Sequence, residues 1–297
     1  MFLASRVRPI LAVLSVALLT ACFYGHPLAG VFPTSDESQT DLTALAALAG
    51  SVAATARSGI AGISPDTVSG LQLWLKADAL PVVANGSLIS NWPDSSGLGN
   101  TASQGTAANM PSYQAGQSNG QPALAFDGGD LLITPAIRFN AFTMLAVFRM
   151  DVNGNTVIYE HGDDANAFSG HYLVSSNLNT TLVTRDGQRS GKVLSLFWPG
   201  TSAYRVSTQT FNLTHASNIL YVDGLLQAVT NAAEVNDPVG GAPSVPMHIG
   251  SRVGPTLGMN GKIAEIILYN SVLNDATRAG VECYLSNKYG LSLSACQ

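Results

Sequence analysis

The chain has 297 residues, a formal net charge of −5, only 11% charged residues and 29 glycines. This composition is typical of a loop-rich β protein and does not suit a helical bundle. The negative charge and the scattered basic residues argue against a nucleic-acid-binding surface. The length allows one large all-β domain preceded by a leader.

Residues 1–21 have the layout of a secretory leader, with Arg6 and Arg8 ahead of an apolar stretch at 10–19. That stretch is too short to span a bilayer but has the length of a signal-peptide core. It ends in Leu19-Thr20-Ala21-Cys22, which resembles the bacterial lipobox. The resemblance implies cleavage before Cys22, diacylglycerol on its sulfur and N-acylation, with palmitate among the expected chains. The alternative is an ordinary signal peptide with an incidental cysteine.

Position 23 is Phe and not Asp. By analogy with Gram-negative sorting, this implies an outer-membrane or cell-surface location, reached through the secretory pathway. Residues 22–69 are rich in Ala, Ser, Thr and Gly, and residues 41–57 carry only a weak helical pattern. We therefore expect a lipidated tether, flexible or partly helical, followed by a folded domain at 70–297.

The domain opens with an alternating strand at 71–76, which is expected to place Leu71, Leu73 and Leu75 on one face. Trp74, in the same strand, and Trp92 are both expected in the core. Residues 94–100 are expected to form a turn-rich loop. The run at 142–150 is long and apolar, which favours a central strand, and Asp223-Gly224 predicts a tight hairpin. Other strands are expected at 156–160, 170–175, 180–185, 192–197, 203–213, 218–222, 225–229 and 247–252.

The end of the chain predicts a buried strand followed by a helix. Four consecutive apolar positions at 266–269 indicate a central strand covered on both faces. Asn274 is the expected N-cap of the helix and Gly290 its C-terminal stop. One helical stripe contains Leu273, Thr277, Val281 and Leu285.

Three segments together resemble bacterial LamG-like, concanavalin A-like jelly-roll domains. They are the W-x-D-x-S-G-x-G-N run at 92–100, the P-x-x-x-F-D-G segment at 122–128 with Asp130, and the terminal run at 261–291. The resemblance covers roughly residues 70–291. It implies an all-β, two-sheet antiparallel jelly-roll sandwich with one C-terminal helix, which agrees with the many short strands.

Two cysteines remain after the leader, Cys283 on the helix and Cys296 near the end of the chain. In an exported protein an even pair favours a disulfide, although two free thiols are the alternative.

Calcium is a candidate cofactor, because Asp94, Asn100, Asp127 and Asp130 lie in two glycine-rich loops. Related jelly rolls often bind calcium at such loop edges. The alternative is that Asp94 and Asp127 cap turns through bonds to the backbone.

Catalytic motifs are not evident. Retaining glycosidases need two carboxylates about 5 Å apart, and the only such acid in an apolar strand is Glu265. Glu160 with Asp163 and Asp164 forms a looser cluster, and His161 and His171 flank the same loop. We expect the three acids to belong to a turn and the loop flanked by the two histidines to be solvated. The alternative for this loop is a metal site or an acid/base pair. No Gly-x-Ser-x-Gly elbow supports a Ser/His/Asp triad, and the alginate-lyase motifs are absent.

Sugar binding would need aromatic faces, for which Trp198, Tyr172 and Tyr204 are the candidates. The sequence therefore predicts a lipid-anchored surface protein whose domain binds a glycan or a protein without catalysis. A glycoside hydrolase or lyase on the same fold and a structural envelope component are the alternatives.

Overall fold

The computed structural model describes residues 59–152, 154, 156–161, 171–176, 181–186, 194–197, 202–213, 217, 219–227, 244–252 and 256–296. Within these ranges the chain forms sixteen strands and one α-helix, α1, at Asp275–Tyr289. The strands are β1 Leu71–Lys76, β2 Asn91–Trp92, β3 Ala102–Ser103, β4 Ser112–Ser118, β5 Gln121–Asp127, β6 Leu132–Ile137, β7 Phe142–Met150, β8 Thr156–His161, β9 His171–Ser176, β10 Thr181–Asp186, β11 Leu194–Phe197, β12 Arg205–Phe211, β13 Ile219–Val222, β14 Leu225–Leu226, β15 Val245–Ile249 and β16 Asn260–Tyr269.

The strands form two eight-stranded sheets. Sheet A runs β14-β13-β12-β7-β16-β5-β4, with β1 also paired to β16, and sheet B runs β11-β10-β9-β8-β15-β6-β3-β2. The pairings in both sheets are antiparallel, as between β7 and β16. The prediction of an all-β, two-sheet antiparallel sandwich with a single C-terminal helix is therefore confirmed.

Strand β16 lies at the centre of sheet A, as its apolar run predicts. It pairs with β7 along one side, while β5 and β1 share the other side in tandem. One face of β16 joins the core between the sheets through Ile263, Ile266 and Leu268. The other face packs beneath α1, with Ala264, Ile267 and Tyr269 against Val281, Leu285 and Tyr289. Both faces of β16 are thus removed from water. The burial of apolar surface is the dominant favourable term in folding, so this strand contributes strongly to stability.

Both predicted helix caps are confirmed. Asn274 Oδ1 accepts a hydrogen bond of 2.9 Å from the Thr277 amide, and Gly290 adopts the left-handed conformation at φ 64°. The Cys283–Cys296 disulfide is also present, with the two Cα atoms 5.1 Å apart. The bridge fixes the tail after α1 to the helix itself.

Strand β1 departs from simple alternation. A bulge between Leu71 and Leu73 interrupts its pairing with β16. As a result Leu73 and Leu75 face the core between the sheets, whereas Leu71 joins Trp74 under the helix. The prediction that Leu71, Leu73 and Leu75 share one face was therefore wrong for Leu71, because a bulge shifts the side-chain alternation by one residue.

The segment before β1 packs onto the helix, although the sequence assigns it to the tether. The Ile63 amide donates to the Gly280 carbonyl oxygen at 2.8 Å, and the Ile60 amide donates to the Ala295 carbonyl oxygen at 2.9 Å. A Cβ atom on Gly280 would lie 2.3 Å from the Ile63 side chain, so only glycine permits this approach.

No helix in the described part of the chain is long and apolar enough to cross a membrane.

A buried ionic network joins α1 to sheet A. Glu265 on β16 is 0% exposed and accepts hydrogen bonds from Lys288 Nζ at 2.7 Å, Tyr289 Oη at 2.8 Å and Trp74 Nε1 at 2.6 Å. Lys288 also binds Asp78 at 2.8 Å. Burial alone would lower the pKa of Lys288, but Glu265 and Asp78 together raise it above its ordinary value. The lysine therefore stays charged and neutralises the buried carboxylate.

Replacing Lys288 with methionine is expected to lower the free energy of unfolding by about 3–5 kcal/mol, because Glu265 would remain buried without its cation. Equilibrium denaturation in urea measures this loss. K76M is the control, since Lys76 Nζ lies 3.7 Å from the centre of the Trp74 ring, a contact whose loss should cost about 1 kcal/mol or less. Equal stability of K288M and wild type would contradict the role assigned to the pair.

Candidate binding site

The loop after β2 is organised by Asp94. Its Oδ1 accepts from the Trp74 and Ser96 amides, both at 2.9 Å, and its Oδ2 accepts from Ser96 Oγ at 2.7 Å and the Asn100 amide at 2.9 Å. Asn100 Nδ2 donates to the Gln72 carbonyl oxygen at 2.8 Å. Asp94 and Asn100 thus tie this loop to β1, and a metal ion would have to displace some of these bonds.

The loop between β5 and β6 places Asp127 beside Asp130. The Asp127 amide donates to Asp130 Oδ2 at 2.9 Å, and the Gly129 amide donates to Asp127 Oδ1 at 2.9 Å. A Cβ atom on Gly258 would lie 1.9 Å from the Gly128 carbonyl oxygen, so the loop rests directly on the segment leading to β16. This contact holds the two carboxyl groups in place.

Asp130 has an unusual electrostatic environment. It is only 5% exposed. Burial raises its pKa to about 6, an effect opposed by the hydrogen bond from the Asp127 amide and increased by the nearby Asp127 carboxylate. Asp130 therefore changes its charge near pH 6, whereas an ordinary aspartate does so near pH 4.

Asp127 and Asp130 line a cavity of about 270 Å³, here called the acidic pocket. Its lining consists of Leu88, Ala107, Ala108, Met110, Ser112, Ala125, Phe126, Asp127, Asp130 and Asn260. Five separate stretches of the chain contribute, from the β1–β2 connection to the first residue of β16. The sheet edge and its loops bring them together, which no local pattern in the sequence indicates.

A second depression of about 360 Å³, here called the apolar groove, shares Leu88 with the acidic pocket. It is lined by Leu80, Pro81, Val83, Leu88, Ile89, Ser90, Asn91 and Pro93. Leu88 lines both depressions and is 55% exposed. The connection between β1 and β2 runs along the edge of sheet A, where Leu88 forms a bridge with Ser112 of β4.

Calcium at these loops remains a prediction. In the described part of the chain, no three His, Cys, Asp or Glu side chains are grouped closely enough to hold a metal ion. Calcium also accepts hydroxyl, amide and backbone oxygens. Ser112 and Asn260 line the acidic pocket together with Asp127 and Asp130. This pocket is therefore the place where a calcium ion would find several oxygen donors.

The aromatic candidates divide into buried and undescribed residues. Trp74 and Trp92 lie in the core, as expected. Tyr204 is half-buried, burial raises the pKa of its hydroxyl group, and the Arg149 guanidinium lies 5.5 Å from its ring centre. Trp198 and the Tyr172 side chain lie outside the described residues. Every aromatic side chain that the structure describes is buried or half-buried. Sugar binding by Tyr204, Trp198 or Tyr172 stays a prediction.

The strand predicted at 156–160 is present, but the expectations that Glu160 belongs to a turn and that His161 is a solvated loop residue were wrong. Both lie in β8 and are fully buried, because the strand continues through His161. His161 Nε2 lies 2.9 Å from the Ile137 carbonyl oxygen, and Arg252 Nε lies 3.5 Å from Glu160 Oε1. Asp163, Asp164 and the His171 side chain are outside the described residues. His248, the cross-strand neighbour of Glu160, has its pKa lowered by burial.

The buried acids beneath α1 are also bound within the fold. Glu282 accepts from Thr208 Oγ1 at 2.7 Å and from Arg278 Nη1 at 2.6 Å. Burial raises the pKa of Glu282, and the two hydrogen bonds lower it by less, so the net shift is upward. Like Glu265, Glu282 joins the helix to sheet A. Neither glutamate lines one of the depressions described above, whereas Asp127 and Asp130 both line the acidic pocket.

No model of a known protein family matches the sequence, and no curated protein matches it. Among solved structures, the chain is similar to a Trypanosoma rangeli sialidase in complex with sialic acid, with a TM-score of 0.52 and 15% identity over 85% of this chain and 40% of that one. It is also similar to the binding domain of Paraclostridial Mosquitocidal Protein 1, with a TM-score of 0.52 and 14% identity over 75% of this chain and 54% of that one.

The receptor binding domain of botulinum neurotoxin D is similar as well, with a TM-score of 0.51 and 17% identity over 74% of this chain and 53% of that one. The chain thus spans about half or less of the length of each of these structures. At such low identity the likeness shows the fold, a two-sheet β-sandwich, and nothing finer. The resemblance to LamG-like domains stays a prediction.

The Asp130→Asn variant should change how stability depends on pH. The folded-state pKa of Asp130 is raised from 3.8 to about 6, so its contribution to stability is fully present below pH 3.8 and is lost as pH rises through 6. The difference in Tm between wild type and D130N should therefore decrease as the pH is raised from 4 to 7. Calorimetry at intervals of half a pH unit measures this difference. Parallel Tm curves for the two proteins would contradict the shifted pKa.

Proposed function

We propose that this protein is a lipid-anchored, non-catalytic binding protein whose sandwich domain recognises a glycan or a protein at the cell surface. The fold supports this, because similar structures include the binding domain of one toxin and the receptor binding domain of another. Since a fold hosts many functions, the proposal depends on the site. The site consists of two adjoining depressions on the edge of a rigid sandwich, a geometry suited to contact.

The observation that carries the proposal is the arrangement of the acids. Glu265 and Glu282 are bound by lysine or arginine and by hydroxyl groups beneath α1, and Glu160 lies near Arg252. A glycosidase needs a pair of carboxyl groups facing its substrate in a groove. These buried acids serve the fold and are not available for that role.

One observation favours the alternative, a polysaccharide-active enzyme. Asp130 has a pKa of about 6 and lies next to Asp127 in a surface pocket. A carboxylic acid with a raised pKa beside a second carboxylate is the usual arrangement of a general acid in glycoside hydrolysis. The sialidase to which the fold is similar was determined in complex with sialic acid, but this chain covers only 40% of that protein, so its activity is not transferred.

The anchor is proposed from Leu19-Thr20-Ala21-Cys22 and the apolar stretch before it. Each buried methylene of an acyl chain contributes about 0.8 kcal/mol, so two or three chains hold a protein firmly at a membrane. Phe23 supports sorting to the outer membrane. The sandwich would then be presented at the surface by residues 22–58.

Cys22→Ser should abolish lipidation, because serine lacks the sulfur that accepts diacylglycerol. In a Gram-negative host grown with labelled palmitate, the wild-type chain should be labelled and should partition into detergent, whereas C22S should remain unlabelled. C296S is the matched control, since it removes a cysteine of the disulfide but leaves the anchor. Labelling of C22S equal to that of wild type would overturn the anchor.

The binding role is tested by applying the lipidated full chain to glycan and protein arrays, with 2 mM calcium or with EDTA. The expected result is saturable binding to members of one ligand class without release of reducing ends from any polysaccharide. If calcium occupies the acidic pocket, EDTA should lower the Tm, because a ligand bound only to the native state stabilises it. Cleavage of a polysaccharide would favour the enzyme, and absence of any ligand would favour a structural envelope component.

A further inference from the structure

Leu88 lines two depressions of different chemical character. One is the acidic pocket with Asp127 and Asp130, and the other is the apolar groove. Val82, between the groove residues Pro81 and Val83, is fully exposed, and Leu88 is 55% exposed. Exposed aliphatic side chains grouped around a groove are typical of surfaces that bind other molecules.

The acidic pocket carries uncompensated negative charge. Its lining contains two aspartates and no lysine, arginine or histidine. Lys262, which follows Asn260 by two positions on β16, is bound by Asp151 at 2.9 Å and does not serve the pocket. Among the described residues, neither Asp127 nor Asp130 forms an ion pair. A cationic group from outside would therefore complement this pocket.

The edge of sheet A beside the groove is already covered. The Gly86 amide donates to the Tyr113 carbonyl oxygen at 2.7 Å, and the Tyr113 amide donates to the Ser87 carbonyl oxygen at 2.8 Å. Leu88 forms a bridge with Ser112, the first residue of β4. A bound segment therefore has no free β4 backbone to pair with here, and recognition has to come from side chains.

We propose that the acidic pocket and the apolar groove form one docking surface for a partner protein, whose contacting segment places a lysine or arginine side chain in the pocket and an aliphatic side chain in the groove. This inference rests on the proposed binding function and specifies the partner. Leu88 separates the two subsites and contacts both side chains of the segment.

The chemistry favours a peptide over the other ligand classes. A sugar ring usually stacks on an exposed aromatic face, and the one aromatic residue that lines these two depressions, Phe126, is buried. A bare metal ion would use the pocket but leave the aliphatic groove empty. A nucleic acid would be repelled by the aspartates. A segment with adjacent basic and aliphatic side chains satisfies both subsites at once.

The test uses immobilised, acetylated and amidated peptides in which one leucine and one lysine are separated by zero to three serines. The lipidated full chain is applied in detergent, and binding is measured by interferometry. At least one spacing should bind at pH 7.5, and replacing its lysine with glutamate should weaken binding by about tenfold or more.

Two variants of the protein locate the contact. D130N should weaken binding about tenfold because it removes a negative charge from the pocket, and L88S should weaken it about fivefold because it removes the aliphatic side chain shared by the two subsites. D275N and L226S are the controls, because they change an exposed aspartate on α1 and an exposed leucine on β14. Both controls should bind as wild type does. Leu88 is exposed, so L88S tests the surface even if D130N perturbs the loop.

The inference is overturned if no spacing binds better than its lysine-to-glutamate counterpart, or if D130N and L88S both bind as wild type does. If the arrays identify a glycan or protein ligand that D130N and L88S both still bind, that result would support the proposed function and refute this docking surface. Absence of every ligand, on the arrays and among the peptides, would refute both.

Discussion

The structure depends on the burial of β16 on both faces. A strand with one apolar face needs one partner layer, but the run from Ile266 to Tyr269 needs two. Sheet B covers one side and α1 the other, so the helix is part of the core and not an appendage. This also explains Glu265, which lies on the helix side of the strand and is therefore neutralised by Lys288 from the helix itself.

Much of this architecture could be predicted from local patterns. The apolar run of β16, the Asn274 cap and the Gly290 stop depend on residues close together in sequence, and all three were confirmed. Strand β4 was not predicted, because its sequence Ser-Tyr-Gln-Ala-Gly-Gln-Ser has no apolar alternation and its place in the sheet comes from pairing with β5. Leu71 was placed on the wrong face because a bulge is a property of the paired strands.

The candidate site was less predictable. Asp94, Asp127 and Asp130 stand out in the sequence as acids in glycine-rich loops, but their different roles depend on contacts between loops. Asp94 is saturated by amides and a serine hydroxyl, whereas Asp130 is buried in a pocket that includes Asn260 from β16. The apolar groove could not be predicted from the sequence, since exposed aliphatic residues such as Leu88 follow no periodic pattern. Glu160 and His161 were expected outside the core because they are polar residues at the end of a strand, and the strands that cover them, β9 and β15, are distant in sequence or separated by a loop.

The first described residues and the last ones are neighbours in space. Ile60 is hydrogen-bonded to Ala295, Ile63 is hydrogen-bonded to Gly280, and the Cys283–Cys296 bridge ties the tail to the helix. Mechanical tension arriving through the N-terminal segment would thus enter at α1 and be shared with a covalently cross-linked element. To extract that segment, a force has to break its hydrogen bonds to the helix and to the tail that the disulfide holds.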